Sequence, residues 1–199
     1  MASPDAIQHA IDVLRRGGIV AFPTDTLYGL AADPRSSEAV GRLFVIKGRA
    51  AGHAVPLIAA SLEQAERAAV FDERARRVAS AFWPGPVSLV LPAREGIREE
   101  ILGEGGSVAV RVPAHAVARE LCEGFGFCVT ATSANVSGRP PTSSPHVVAA
   151  TLGELVDYVL DDGDSPGGPP STIVDLCGAV PRLVRAGPIA WERVLRSIQ

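Results

Sequence analysis

The sequence predicts an α/β (or α+β) fold, a single domain over residues 1–199 in which a mixed β-sheet is flanked by helices. Two observations carry this. Strand-like and helix-like segments alternate along the chain without an internal repeat. Apolar residues make up 47% and charged residues 21%, an ordinary globular balance with no compositional break marking a linker or second domain. A chain of 199 residues can bury roughly 70% of its extended surface, so its core needs neither disulfides nor metals.

The elements follow in order. Ser3-Pro4 starts a helix, with serine as N-cap and proline at the first helical position. Ile7, Ala10, Ile11 and Leu14 recur at helical spacing, and Gly17-Gly18 stop the run. The strand IVAF (19–22) leads into the polar loop PTDTLYGL (23–30). Ser36 or Ser37 caps a second helix that buries Val40, Leu43 and Phe44 and runs out near Lys47. VPLIAA (55–60) reads as a strand, and Ser61 with Gln64 as a capping box for the next helix. A helix over 72–82 is stopped by Pro84-Gly85-Pro86 before the strand VSLVL (87–91). Then come the strand SVAVRVP (107–113), the helix 114–122 and the strand FCVTA (127–131), which leads into TSANVSG. A helix near 146–153, a strand at 157–161, the strands TIVDL (172–176) and RLVRA (182–186) and a short helix complete the chain.

Composition also limits function. A net charge of −3 and a pI near 5.8 argue against a protein that coats nucleic acid, while leaving room for a local basic groove. Cys122, Cys128 and Cys177 are odd in number and lack CxxC spacing, so they read as buried thiols of a reducing compartment. No apolar run reaches transmembrane length, and the N-terminus carries an acid early with no apolar leader. The expectation is a cytoplasmic protein without a membrane partner.

Several polar groups fall in loops at strand ends, where open α/β sheets bind ligands. In PTDTLYGL, Thr24, Asp25 and Thr26 can form a turn bonded to the local backbone, or a site. Lys47-x-Arg49 is more unusual: Lys47 is the one lysine in a chain whose other cations are all arginine. A solvated pair would follow the rest of the chain to arginine; a compact ammonium suits a phosphate as a point charge. In SVAVRVP, Ser107 and Arg111 share a strand face roughly 13 Å apart. An arginine in a buried strand needs an anion, either a protein carboxylate or a ligand's. TSANVSG is dense in small hydroxyls, and Ser171 and Arg185 lie at strand edges. No GxxxxGK[ST], HExxH or paired-cysteine motif is present, so a nucleotide site would be assembled from separate strands.

Taken in order, PTDTLYGL, KGR, FWPGPVSLVL, VAVRVP, TSANVSG, PGGPPSTIVDL and LVRAG resemble the YrdC/TsaC family of threonylcarbamoyl-AMP synthases, in its short form. The resemblance implies a twisted sheet with a cationic concave face. It implies formation of L-threonylcarbamoyladenylate and pyrophosphate from L-threonine, bicarbonate and ATP, for a threonylcarbamoyl transferase machinery that modifies tRNA. By motif position, Thr26, Arg111 and Ser171 would hold threonine. Arg49, Ser107, Ser133, Asn135 and Arg185 would line the ATP side, with Lys47 and Arg49 as the residues on which catalysis rests. Lys47 would meet the phosphates or the bicarbonate-derived carboxylate. Mg²⁺ would come with ATP, without a protein site of its own.

Three positions depart from the family pattern. Ala50 stands where a proline is common and His53 where a polar residue is, implying a looser loop and an ATP contact that is lost or pH-dependent. Pro141 replaces a common serine and can offer ATP only its carbonyl. The alternative function is a non-catalytic or divergent relative that binds tRNA or structured RNA through the same concave face. A third reading, the carbamoyl-transfer domain of a hydrogenase-maturation factor, lacks the cysteine pairs that accompany it.

Overall fold

The computed structural model describes residues 2–48 and 53–199. Helix α1 (Pro4–Arg15) begins as its sequence predicts: the Ser3 hydroxyl accepts from the Ala6 amide at 3.2 Å. The chain then forms β1 (Val20–Phe22), β2 (Gly29–Ala31) and α2 (Ser37–Lys47), the last capped by Ser36. Gly48 ends α2 with φ +60°, a left-handed C-cap that glycine adopts without strain. Next come β3 (Leu57–Ile58), α3 (Leu62–Glu66), α4 (Glu73–Phe82), β4 (Val87–Pro92) and β5 (Ser107–Arg111). In α3 the capping box is shifted by one residue: the Ser61 hydroxyl caps Gln64, whose side chain accepts from the Ala60 amide at 2.8 Å.

The second half comprises α5 (Ala116–Phe125), β6 (Val129–Thr130), β7 (Thr132–Ser133), α6 (Pro145–Leu152), β8 (Tyr158–Val159), β9 (Thr172–Asp175), β10 (Arg182–Arg185) and α7 (Trp191–Ile198). The apolar stripe of α1 packs against α5, and α4 against α7.

Two mixed sheets form where one was expected. The smaller has the order β7-β2-β1-β8 and the larger β10-β9-β4-β5-β3-β6. The physical reason lies in the segment read as a strand over 127–131. Its first part, β6, pairs with β3, and the chain then crosses at Ala131 to become β7, paired with β2 of the other sheet. Thr130 seals this corner. Fully buried, its hydroxyl donates to the Leu30 carbonyl at 3.0 Å and accepts from the Ala32 amide at 2.9 Å. Thr130→Val keeps the volume but leaves the Ala32 amide without its acceptor. It is expected to lower stability by about 1–3 kcal/mol, read as an earlier midpoint in urea unfolding.

The larger sheet has one closed face and one open face. Leu89, Leu91, Val108, Val110 and Val174 fill the core side. On the other face the register sets Arg185 beside Ile173 and Ile173 beside Ser88. The β4–β5 register, continued one step past Leu89↔Val110, sets Ser88 opposite Arg111. Residues opposite one another share a face, so two arginines and a serine lie in one row across four strands. Cys122 and Cys128 are buried as expected, but Cys177 is exposed, because it follows β9 into a surface turn. Among the described residues no helix is long and apolar enough to cross a membrane.

Candidate active site

Arg111 ends β5 with its side chain 8% exposed. Its Nη1 donates to Asp25 Oδ1 at 2.6 Å, bridging the 23–28 loop of the small sheet and the large sheet. Asp25 does not fold back on its own turn; Thr24 does so instead, donating to the Leu27 carbonyl at 2.7 Å. Thr26 lies beside it, its hydroxyl 3.2 Å from that of Thr24. Tyr28 is fully buried, and its hydroxyl donates to the Gly163 carbonyl at 2.8 Å. Burial pushes its phenol up to about 12, so it stays a donor at neutral pH.

From Arg111 the polar row continues through serines. The Ser88 and Ser171 hydroxyls are 2.9 Å apart, and Ser171 Oγ accepts from Arg185 Nη2 at 3.2 Å. Arg185 also donates to the Ser171 carbonyl through Nε at 3.1 Å and Nη2 at 2.9 Å. Partial burial, and then the charge of Arg111, push the Arg185 guanidinium below its ordinary value. No carboxylate pairs with Arg185 among the described residues. Gly187 lets the chain after β10 close over this corner: a Cβ there would lie 2.4 Å from the Thr172 amide nitrogen and 2.7 Å from the Ser171 carbonyl carbon.

A second cluster forms where α2 meets β7. Lys47, 2% exposed, directs its ammonium to the Ser133 carbonyl at 2.6 Å, the Asn135 carbonyl at 2.7 Å and Asn135 Oδ1 at 2.8 Å. The Ser133 hydroxyl lies 3.4 Å away and donates to Asn135 Oδ1. The Asn135 amide in turn donates to the Arg139 carbonyl. Lys47 therefore fastens the 133–135 loop through protein oxygens on its ammonium. The clusters are joined through the small sheet, where Gly29 pairs with Ser133 and the Tyr28 carbonyl accepts from the Ala134 amide at 2.9 Å.

A family model described as Sua5_yciO_yrdC, telomere recombination, matches residues 12–187. The chain belongs to the Sua5/YciO/YrdC family. A threonylcarbamoyl-AMP synthase of Pyrococcus abyssi is 40% identical over 193 residues, 96% of this chain and 57% of the relative. One from Halorhodospira halophila is 41% identical over 159 residues, covering 79% of this chain and 83% of the relative. A crystal structure of P. abyssi Sua5 complexed with L-threonine superposes with a TM-score of 0.91 at 40% identity, over 96% of this chain and 57% of that one. The chain thus spans little more than half the length of the P. abyssi protein.

Within this Sua5/YciO/YrdC fold the expected site residues divide. Arg111, Ser171 and Arg185 lie along one row, Thr26 stays in the 23–28 loop that Asp25 joins to it, and Lys47, Ser133 and Asn135 meet at the adjoining loop. Ser107 lies at the opposite end of β5, its hydroxyl donating to the Glu104 carbonyl at 2.8 Å. His53 and Pro141 are exposed, and Arg49 and Ala50 lie outside the described residues. Sequence reasoning missed two members, Asp25 as the partner of Arg111 and Ser88 as the partner of Ser171. The demand of Arg111 for an anion was legible, but its source 86 residues away was not. Ser88 does carry a signal, since a polar residue at that position interrupts the apolar strand VSLVL.

Proposed function

We propose that this chain forms L-threonylcarbamoyladenylate and pyrophosphate from L-threonine, bicarbonate and ATP, acting as a nucleotidyltransferase in tRNA modification. The observation that carries the reading is Arg111, buried on the open sheet face, with one side-chain hydrogen bond to the described residues and the rest of its fork unused among them. In this reading that fork receives the threonine carboxylate, and Thr26 and Ser171 contact the same amino acid. Arg185, which no carboxylate balances, takes the phosphoryl end. Ser133 and Asn135, held by Lys47, line the nucleotide side together with Arg49, and Ser107, His53 and Pro141 mark its outer reach.

The threonine amine, once neutral, attacks the bicarbonate carbon; as the C–N bond forms a C–O bond breaks, and the hydroxyl leaves as water with a proton from the amine, giving a carbamate. A carbamate oxygen then attacks the α-phosphorus of ATP, and the bond to the bridging oxygen breaks as pyrophosphate departs. The chain's residues align these groups and oppose the charge that develops on the phosphoryl oxygens. Mg²⁺ enters with ATP and leaves with pyrophosphate, held by phosphate rather than by protein. The product passes to a transferase that acts on tRNA in the cytoplasm.

Purified protein given ATP, L-threonine, bicarbonate and Mg²⁺ is expected to release pyrophosphate in proportion to threonine. Release no greater than in a control lacking threonine overturns the reading.

A further inference from the structure

Arg111 offers five N–H donors in a planar fork. Among the described residues it uses one nitrogen, Nη1 to Asp25 Oδ1 at 2.6 Å, while Nε and Nη2 make no hydrogen bond. Asp25 is likewise half-used. Its side chain is 14% exposed, and its second oxygen meets only the Ala114 amide at a long 3.4 Å. The pair is therefore locked along one edge and unsatisfied along the other, on both partners at once.

Among the described residues that second oxygen has no other cation. His115 faces Asp162, Nε2 to Oδ2 at 3.6 Å, and burial lowers its pKa, so the imidazole is neutral at pH 7. Arg119 donates to the Pro113 carbonyl, and Arg185 is engaged with Ser171. Arg111 and Asp25 together carry no net charge. A bare carboxylate docking on the open edge of Arg111 would set two carboxylates on one guanidinium, with the second oxygen of Asp25 gaining no donor of its own. A zwitterion would supply that donor, because its ammonium would sit on the Asp25 carboxylate while its own carboxylate sat on the guanidinium.

We infer that Asp25 is a specificity-determining residue, receiving the α-ammonium of the amino acid whose carboxylate docks on Arg111 and excluding carboxylates that lack that ammonium. This rests on the reading of Arg111 as the carboxylate clamp. It also gives Asp25 two successive tasks: it holds Arg111 in the empty site and orients the amine in the filled one.

Calorimetric titration of L-threonine and of its 2-hydroxy analogue, 2,3-dihydroxybutanoate, tests the inference. The wild-type protein is expected to prefer threonine by about thirtyfold or more, since the analogue leaves a buried carboxylate unpaired. In Asp25→Asn that preference is expected to shrink to about threefold, through weaker threonine binding with the analogue unchanged or tighter. Equal weakening of both ligands in the variant would mean that Asp25 only supports Arg111, and overturns the inference. Equal affinity of the wild-type protein for the two ligands overturns it as well, whether or not the variant folds. Binding of neither ligand by the wild-type protein removes the clamp reading itself, and the inference with it. Threonine-dependent pyrophosphate release, measured in parallel, separates that outcome from a failure confined to Asp25.

Discussion

Lys47→Arg is expected to lower turnover more than tenfold while far-ultraviolet circular dichroism stays that of the native protein. The ammonium sits at 2.6, 2.7 and 2.8 Å from three oxygens that converge on one point. A tetrahedral group with three protons matches that arrangement; a planar fork that spreads its donors does not. The larger head group would also have to be fitted at a site 2% exposed. Hydrogen bonds to a charged group contribute about 1.5–3 kcal/mol each, so their loss frees the 133–135 loop. Steady-state kinetics and a thermal melt together check this. Wild-type turnover in Lys47→Arg would show that any cation suffices there.

Arg111→Ala is expected to have the largest effect on threonine, raising its KM by about a hundredfold or more while the KM for ATP moves little. Truncating one partner of a buried, hydrogen-bonded charge pair costs about 2–5 kcal/mol, much of it from leaving the other charge unpaired, here Asp25. Arg111→Lys is expected to fall between, since an ammonium can meet Asp25 but cannot also offer a flat second edge to a carboxylate. Initial rates with each substrate varied in turn decide the matter. A rise confined to the KM for ATP would reverse the two ends of the site.

What was legible in the sequence was whatever depends on neighbours in the chain. The start of α1 at Ser3-Pro4, the end of α2 at Gly48 and the face shared by Ser107, Ala109 and Arg111 all follow from local caps and periodicity. What depends on pairing was less visible. The stretch 29–31 looks like the tail of a polar loop, yet it is β2, a strand only because β1 and β7 flank it. The division into two sheets likewise turns on Thr130, whose hydroxyl is committed to residues about a hundred positions away. The same distinction runs through the site. The need of Arg111 for an anion was apparent from burial and charge alone, whereas Asp25 became its partner only through the meeting of two sheets. Lys47 was conspicuous by composition, but two of its oxygens are backbone carbonyls, which no residue type announces.

That lysine has one more consequence. In these 199 residues it is the sole ε-amine, and the fold keeps it 2% exposed. An amine-selective acylating reagent therefore has a single side-chain target, reachable only when the 133–135 loop lets go of it. The rate at which that one amine becomes labelled is a clock for the opening of the 133–135 loop, built into the covalent structure and readable from the mass of the peptide that carries it.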